Sequence, residues 1–314
     1  MISILIATKN RPRMVENCLA SILKSTHADF EIIIADQSED ETTHRIVLSM
    51  RNRKIRYLSW RLGGKSQAIN AALNMARGTI VALTDDDCRV RRDWLSRIQS
   101  TFQRYSEITA ITGSTYPYER TRKRGHICPS TFTRKTARFI RQLGYHVSLI
   151  GFGNNLAVRT RDLRSVGGFR PWIGPGRLIP SAEDAEIELR LLATSHILFY
   201  DPNVRVYHDR WLDKALLRRQ TIAYIRGESA CYAYYGNQGY SFAKKIIQRS
   251  GKRYMFALSH AMHRIRRLGI SRITAGALFW AGYALLSHGI GILLGSWYAV
   301  REPLTAPYGL RRHG

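Results

Sequence analysis

The chain has 314 residues, 45% of them hydrophobic and 23% charged, which is enough apolar material for a sizeable core and argues against disorder. Its 49 Lys and Arg against 23 Asp and Glu leave a net +26, an excess that seeks phosphorylated ligands, anionic lipid headgroups or nucleic acid. Four widely separated cysteines (Cys18, Cys88, Cys128, Cys231), with no CxxC pair and no Cys/His metal spacing, point to a reducing compartment and exclude a disulfide framework.

ISILIA (2–7) reads as a buried strand, a short continuous apolar run. It is too short for a signal peptide, and Lys9, Arg11 and Arg13 follow it rather than precede it. Asn10 is expected to cap a helix with Pro12 in its first turn and Val15, Cys18, Leu19, Ile22 and Leu23 on its apolar face. FEIIIA (30–35) is a second strand ending at Asp36, and Ile55–Leu58 a third, followed by a Gly63-Gly64 turn. A helix then runs from Ser66 to a stop at Gly78, and strand TIVAL (79–83) leads into Thr84-Asp85-Asp86-Asp87. Strands and helices alternating at this spacing predict a mostly parallel α/β sheet with right-handed crossovers. Ligands bind such sheets at the carboxyl ends of the strands, where Thr8–Asn10, Asp36–Ser38 and Asp85–Asp87 all fall.

Beyond Gly113 the pattern loosens. Residues 118–141 carry eight Lys and Arg against one acid and are expected to be a surface loop or irregular helix. Gly151–Val158 reads as a strand, Glu183–Thr194 as a helix, and His196–Tyr200 and Val204–His208 as two further strands.

Three consecutive aspartates closing an apolar strand are costly unless a cation neutralises them. A solvated acidic turn is the plain alternative; a hard-cation site for Mg²⁺ or Mn²⁺ against a diphosphate is the functional reading, since such ions keep few protein ligands. From Ile2 to His208 the chain resembles a family 2 glycosyltransferase with the GT-A fold. The likeness rests on seven elements in order: Thr8-Lys9-Asn10-Arg11, Asp36-Gln37-Ser38, GGKSQAIN (63–70), Asp85–Asp87, GFGNNLAVRTRDLRSVGGF (151–169), Glu183-Asp184 and PNVRVYH (202–208).

The resemblance implies an inverting transfer of a single sugar from a nucleotide-diphosphate donor, with UDP the family's commonest nucleotide. It implies donor contacts from Thr8, Asn10, Asp36, Lys65, Asn70, Asp85 and Asp86, and metal ligands in Asp87, Asp85 and His208. Asp184 would be the general base that takes the acceptor hydroxyl's proton. Ile69 stands where many members carry Arg before the Asn, which shifts weight onto Lys65 as the diphosphate cation. Arg170 follows Phe169 where an acid is common, and no Gln-x-x-Arg-Trp follows the base, as processive members usually have.

Residues 209–314 hold 17 basic and 4 acidic residues, half the net charge in a third of the length. Over 209–272 basic and apolar positions interleave (Leu216, Tyr224, Ile246, Tyr254 and Phe256 among Lys244, Lys245, Arg249, Lys252 and Arg253), which suits amphipathic helices on an anionic membrane. Ile273–Val300 is a 28-residue apolar run, long enough to cross a bilayer once, although five glycines and His288 equally suit an interfacial hairpin. Arg264, Arg266, Arg267 and Arg272 before it favour the cytoplasmic face for the catalytic domain. The expected divisions are therefore 1–208 (nucleotide half 1–112, acceptor half 113–208), 209–272, 273–300 and a tail, 301–314, with a glycan or lipid-linked acceptor. A nucleic-acid module lacks any recognisable signature here. A nucleotidyltransferase would need glycines that ISILIATKN lacks, and an inactive membrane scaffold would not need Asp87, Asp184 and His208.

Overall fold

The computed structural model describes residues 1–143, 150–268 and 270–302, so most of the expected tail lies outside the described residues. The chain divides into two compact units, Met1–Arg177 with Glu183–Leu217, and Leu178–Ala182 with Arg218–Gly314.

In the first unit β1 (Ile2–Thr8), β2 (Phe30–Asp36), β3 (Ile55–Ser59) and β4 (Ile80–Leu83) are parallel neighbours in the order β3-β2-β1-β4. β1 and β2 are buried along nearly their whole length, as continuous apolar runs predict. The connecting helices are α1 (Pro12–Ile22), α2 (Thr42–Ser49) and α3 (Lys65–Met75). α1 lays Val15, Cys18, Leu19 and Ile22 on the core formed with Ile4, Ile6, Ile32 and Ile34. Asn10 does not cap α1: Arg11 holds that position, while Asn10 sits at φ 54 and its amide N–H donates to Ser38 Oγ at 2.8 Å. Asn10 thereby ties the loop after β1 to the loop after β2.

Past β4 the sheet turns mixed. β5 (Cys88–Val90) and α4 (Trp94–Arg104) lead to β6 (Ala110–Pro117), β7 (Arg138–Ile140) and β8 (Leu156–Arg159), then the short α5 (Thr160–Ser165), α6 (Glu183–Ala193) and β9 (Leu198–His208). β8 is antiparallel to β4 and β6, β9 is parallel to β6, and β5 and β7 are antiparallel to β9. Two sequence expectations change. Gly151–Val158 is strand only from Leu156, after a 3₁₀ turn at Gly153–Asn155. The strands expected at 196–200 and 204–208 are one strand, β9, with a register shift: Gly113 pairs with Asp201 but Ser114 with Arg205.

Asn155 stitches that irregularity. Its Nδ2 donates to Ser114 O and Val204 O, both at 2.9 Å, and its Oδ1 accepts from Trp94 Nε1 at 2.9 Å. Gly113 is needed beside it, because a Cβ there would lie 2.2 Å from Val204 O. Asn155→Ala leaves three buried polar groups unpaired at about 1–3 kcal/mol each. The expected loss is therefore at least about 3 kcal/mol by chemical denaturation; a loss under ~1 kcal/mol would show that water replaces the amide.

The second unit contains most of α7 (Lys214–Asn237) with α8 (Ser241–Leu268) and α9 (Arg272–Arg301). α9 meets α7 backbone to backbone at two glycines. A Cβ on Gly291 would lie 2.5 Å from Arg226 O, and one on Gly295 2.0 Å from Ala230 O. His288 Nδ1 and Ser229 Oγ stand 2.7 Å apart between the same two helices. α8 folds back along α9, with the Tyr254 ring 5.2 Å from that of His288.

Candidate functional site

β1, β2 and β4 deliver the three polar loops to one edge of the sheet, and α3 and α6 bring their first residues to the same place. Asp85, Lys65, Glu183 and Asp184 line one recess with Gly153, Phe169 and Ile69. Lys65 Nζ lies 2.7 Å from Asp85 Oδ1 and 3.1 Å from Glu183 Oε1, so one ammonium joins the aspartate cluster to the acid pair that opens α6. Burial alone would lower the Lys65 pKa; the carboxylates of Asp85 and Glu183 outweigh it and hold the group well above its ordinary value. Glu183 is pushed up by burial, with Lys65 pulling it back.

The GGK turn that presents Lys65 is fastened by the segment before α6. Lys65 N–H donates to Pro175 O at 3.0 Å, Ser66 Oγ to Ile173 O at 2.5 Å, and Arg177 Nη2 to Gly63 O at 2.6 Å. Gly64 sits at φ +103, a conformation that side chains rarely adopt, and a Cβ there would meet Arg177 Nε at 2.6 Å. Arg177 thus stands at the glycine-rich turn where Ile69 leaves the neighbouring wall apolar.

Asp184 is held by backbone. Its Oδ2 accepts the N–H of Gly153 and its Oδ1 that of Ala185, both at 2.8 Å. A Cβ on Gly153 would fall 2.7 Å from that of Asp184, so the first glycine of the GNN turn is what lets the carboxylate sit there.

The other aspartates divide their work. Asp86 is buried; its Oδ2 accepts from Thr8 Oγ1 at 2.7 Å and its Oδ1 from Arg11 Nη1 at 3.0 Å. Burial, and then repulsion from Asp87, raise its pKa to about 6 against the pull of Arg11 and Thr8. Asp87 Oδ1 faces His208 Nε2 at 3.2 Å, and its Oδ2 faces Arg11 Nη1 at 3.1 Å. Burial would raise Asp87, but the His208 pair outweighs it and depresses the carboxyl; burial would lower His208, but Asp87 raises it to about 10. The Nδ1 of His208 lies 3.3 Å from Cys128 Sγ, a partner 80 residues away with no local sequence signal.

Asp87 and His208, with Cys88 beside them, form the one group among the described residues whose ligand atoms converge as a metal site requires. The fit to a hard divalent ion rests on two observations. Asp87 Oδ1 is buried and has no hydrogen bond of acceptable geometry despite facing His208. Cys88 is pushed well above its usual pKa by burial and by Asp87, so it stays a thiol and the ligand set is oxygen and nitrogen.

Asp36 and Asn70 are also fixed by the chain itself. Asp36 accepts from Ser38 N at 2.8 Å, Ser38 Oγ at 2.5 Å and Tyr57 OH at 2.8 Å, which leaves it about one acceptor site for a nucleoside. Asn70 spends its amide on Phe169, donating to Phe169 O at 2.6 Å and accepting from Phe169 N at 2.7 Å. It pins α3 to the turn at Gly167-Gly168. Arg170, at the position where family members commonly carry an acid, pairs with buried Glu186 at 3.2 Å, and Arg190 binds the other oxygen of Glu186 at 2.7 Å.

Arg11 is therefore a counter-ion already built onto Asp87, the candidate metal ligand, and its neighbour Asp86. In Arg11→Gln, Asp86 and Asp87 lose one positive neighbour, so the thermal midpoint is expected to fall without metal and to rise more on adding Mn²⁺ than in the parent. An equal Mn²⁺ shift in the two proteins would separate Arg11 from the metal site.

Solved structures of known proteins share the fold. Mannosyltransferase PcManGT from Pyrobaculum calidifontis, in complex with GDP-Man and Mn²⁺, superposes with a TM-score of 0.60 over 93% of this chain and 86% of its own, at 15% identity. S. aureus TarS 1–349 in complex with UDP-GlcNAc gives 0.58 over 96% and 88%, at 17% identity. In sequence, the beta-monoglucosyldiacylglycerol synthase of Trichormus variabilis is 33% identical over 110 residues, 33% of this chain and 24% of that enzyme. The chain spans between about a quarter and two fifths of the length of such curated relatives. The model of the family described as Glycosyl transferase family 2 matches residues 3–167, more than half of the sequence, and the chain belongs to that family.

Proposed function

We propose that this protein is an inverting, metal-dependent glycosyltransferase that moves a single sugar from a nucleotide-diphosphate donor, a UDP-sugar, to a hydroxyl of a glycan or lipid-linked acceptor at the cytoplasmic face of a membrane. The observation that carries the reading is the placement of Asp184 in one recess with Asp85 and Lys65, next to the Asp87–His208 pair. A donor complex with Mn²⁺ in the mannosyltransferase and a UDP-GlcNAc complex in TarS support the donor class on the shared fold. The diacylglycerol acceptor in the name of the glucosyl synthase supports a lipid-linked one.

In this mechanism Asp36 would receive the nucleoside, and Asp85 would contact the ribose or the metal. Asp87 and His208, with Asp85, would hold Mn²⁺ or Mg²⁺, which supplies charge stabilisation for the departing nucleoside diphosphate. Lys65 adds a point charge to the same leaving group. Asp184, oriented by Gly153 and Ala185 N–H groups, accepts the proton of the acceptor hydroxyl as its oxygen attacks the anomeric carbon from the face opposite the leaving group. The chain lacks the Gln-x-x-Arg-Trp element of processive members, which supports single-sugar transfer.

Purified protein presented with a panel of nucleotide sugars and Mn²⁺ is the direct test. Asp184→Asn is expected to cut turnover by roughly 10² or more, the usual reach of a general base, with donor affinity kept. A collapse of donor affinity in step with the rate would make Asp184 a binding residue instead. Asp87→Asn is expected to abolish divalent-dependent nucleotide binding while circular dichroism stays that of the parent; full activity of the parent in excess chelator would overturn the metal role.

A further inference from the structure

The functional reading places the second unit at a membrane, and the packing of α8 on α9 decides in what manner. Among the described residues α9 is the one helix long and apolar enough to cross a bilayer, and only 17% of its most apolar window is buried. Its exposed large side chains (Phe279, Tyr283, Leu286, Leu293, Trp297 and Val300) recur at spacings of three, four and seven, which is one stripe along the helix. The opposite face, with His288, Gly291, Gly295 and Ala299, is buried against α7 and α8.

α8 carries eight Lys and Arg and no acid. The level of its charges along α9 is fixed by contact. A Cβ on Gly251 would touch His288 Nε2 at 3.4 Å, and the Tyr254 ring lies tilted 5.2 Å from the same imidazole, so Arg249, Lys252 and Arg253 stand level with the middle of the apolar run. All three are exposed. A spanning α9 would carry them to the centre of the hydrocarbon. Each such cation disfavours insertion by a factor of about 10², and three by about 10⁶. Extracting α8 instead would strip His288 and Tyr254 of their packing and leave the imidazole in lipid.

We infer that α8 and α9 dock in the plane of an anionic membrane surface, with the Phe279–Val300 stripe sunk among the acyl chains and the α8 cations at the level of the headgroups, and that α9 does not cross. The occupant is set by charge: an exposed apolar stripe on α9, with eight cations and no acid on the helix packed against it, fits phosphate-bearing lipid, whereas a protein groove would have to offer both an apolar floor and a dense acidic rim. This rests on the membrane part of the functional reading, and the test separates the two.

The four native cysteines are buried, so single cysteines introduced as Ile270→Cys and Arg301→Cys, one at each end of α9, report topology in the full chain. In sealed vesicles from expressing cells, a membrane-impermeant thiol reagent is expected to label both positions from the same side. Labelling from opposite sides would establish a crossing helix and overturn the proposal. Purified protein is expected to float with phosphatidylcholine vesicles containing phosphatidylglycerol and to bind pure phosphatidylcholine far more weakly. Replacing Arg249, Lys252 and Arg253 together by Gln is expected to weaken binding to the anionic vesicles about a hundredfold, with circular dichroism unchanged. Equal binding to both vesicle types would remove the headgroup role of α8. Failure to bind either, with nucleotide-sugar turnover intact, would refute the membrane reading and leave the transferase reading standing.

Discussion

Five carboxylates, Asp85, Asp86, Asp87, Glu183 and Asp184, are gathered at one end of the sheet, and the fold holds them there only because Lys65, Arg11 and His208 stand among them. Two like charges ~4 Å apart repel by about 4 kcal/mol at an effective dielectric near 20, so several such pairs would rival the net stability of an ordinary domain. Each cation meets two acids or a buried one. Lys65 bridges Asp85 and Glu183, Arg11 bridges Asp86 and Asp87, and His208 faces Asp87. Three cations offset three of the five carboxylates, so the chain itself removes most of the repulsion and leaves a net negative charge that a divalent ion can meet.

That balance explains which site residues were legible in the sequence. Asp85–Asp87 stand out because three acids closing an apolar strand need an explanation at once, and Lys65 follows from the glycine turn before it. The roles within the triplet were not legible. Whether an aspartate points to solvent or inward depends on what waits behind it, and for Asp86 that is Thr8 and Arg11, 78 and 75 residues away in sequence. Asn70 shows the same limit from the other side. Its place in the Asn-containing helix reads as a donor contact, and its structural bonds to both backbone groups of Phe169 reach 99 residues along the chain. Cys128, the partner of His208, comes from a stretch whose pattern says only that it is basic and loop-like.

The two halves of the sheet differ in legibility for a related reason. β1, β2, β3 and β4 are parallel neighbours, and buried parallel strands read as uninterrupted apolar runs between turn signals. β8, β6 and β9 mix directions, and β9 breaks register opposite Gly113-Ser114. Pro202 and Asn203 fall in that break, which is why one strand reads as two. The break is bridged by side-chain hydrogen bonds of Asn155, and such long-range satisfaction leaves no local trace.

The +26 charge also resolves into separate physical roles. In the first unit many cations are bound to specific acids or carbonyls, as Arg56 is to Glu31 and Met75 O and Arg159 to Phe102 O and Ile108 O. In the second unit they line α8 with no acid on the same helix, so intrahelical pairing cannot absorb them and repulsion between neighbours remains. A chain tolerates such a stripe when an external anion supplies the missing charge. The exposed apolar stripe on α9 poses the complementary problem, surface that water solvates poorly. A bilayer interface answers both at once, because its charged layer and its apolar layer lie within about 10 Å of each other, about the offset between two packed helices.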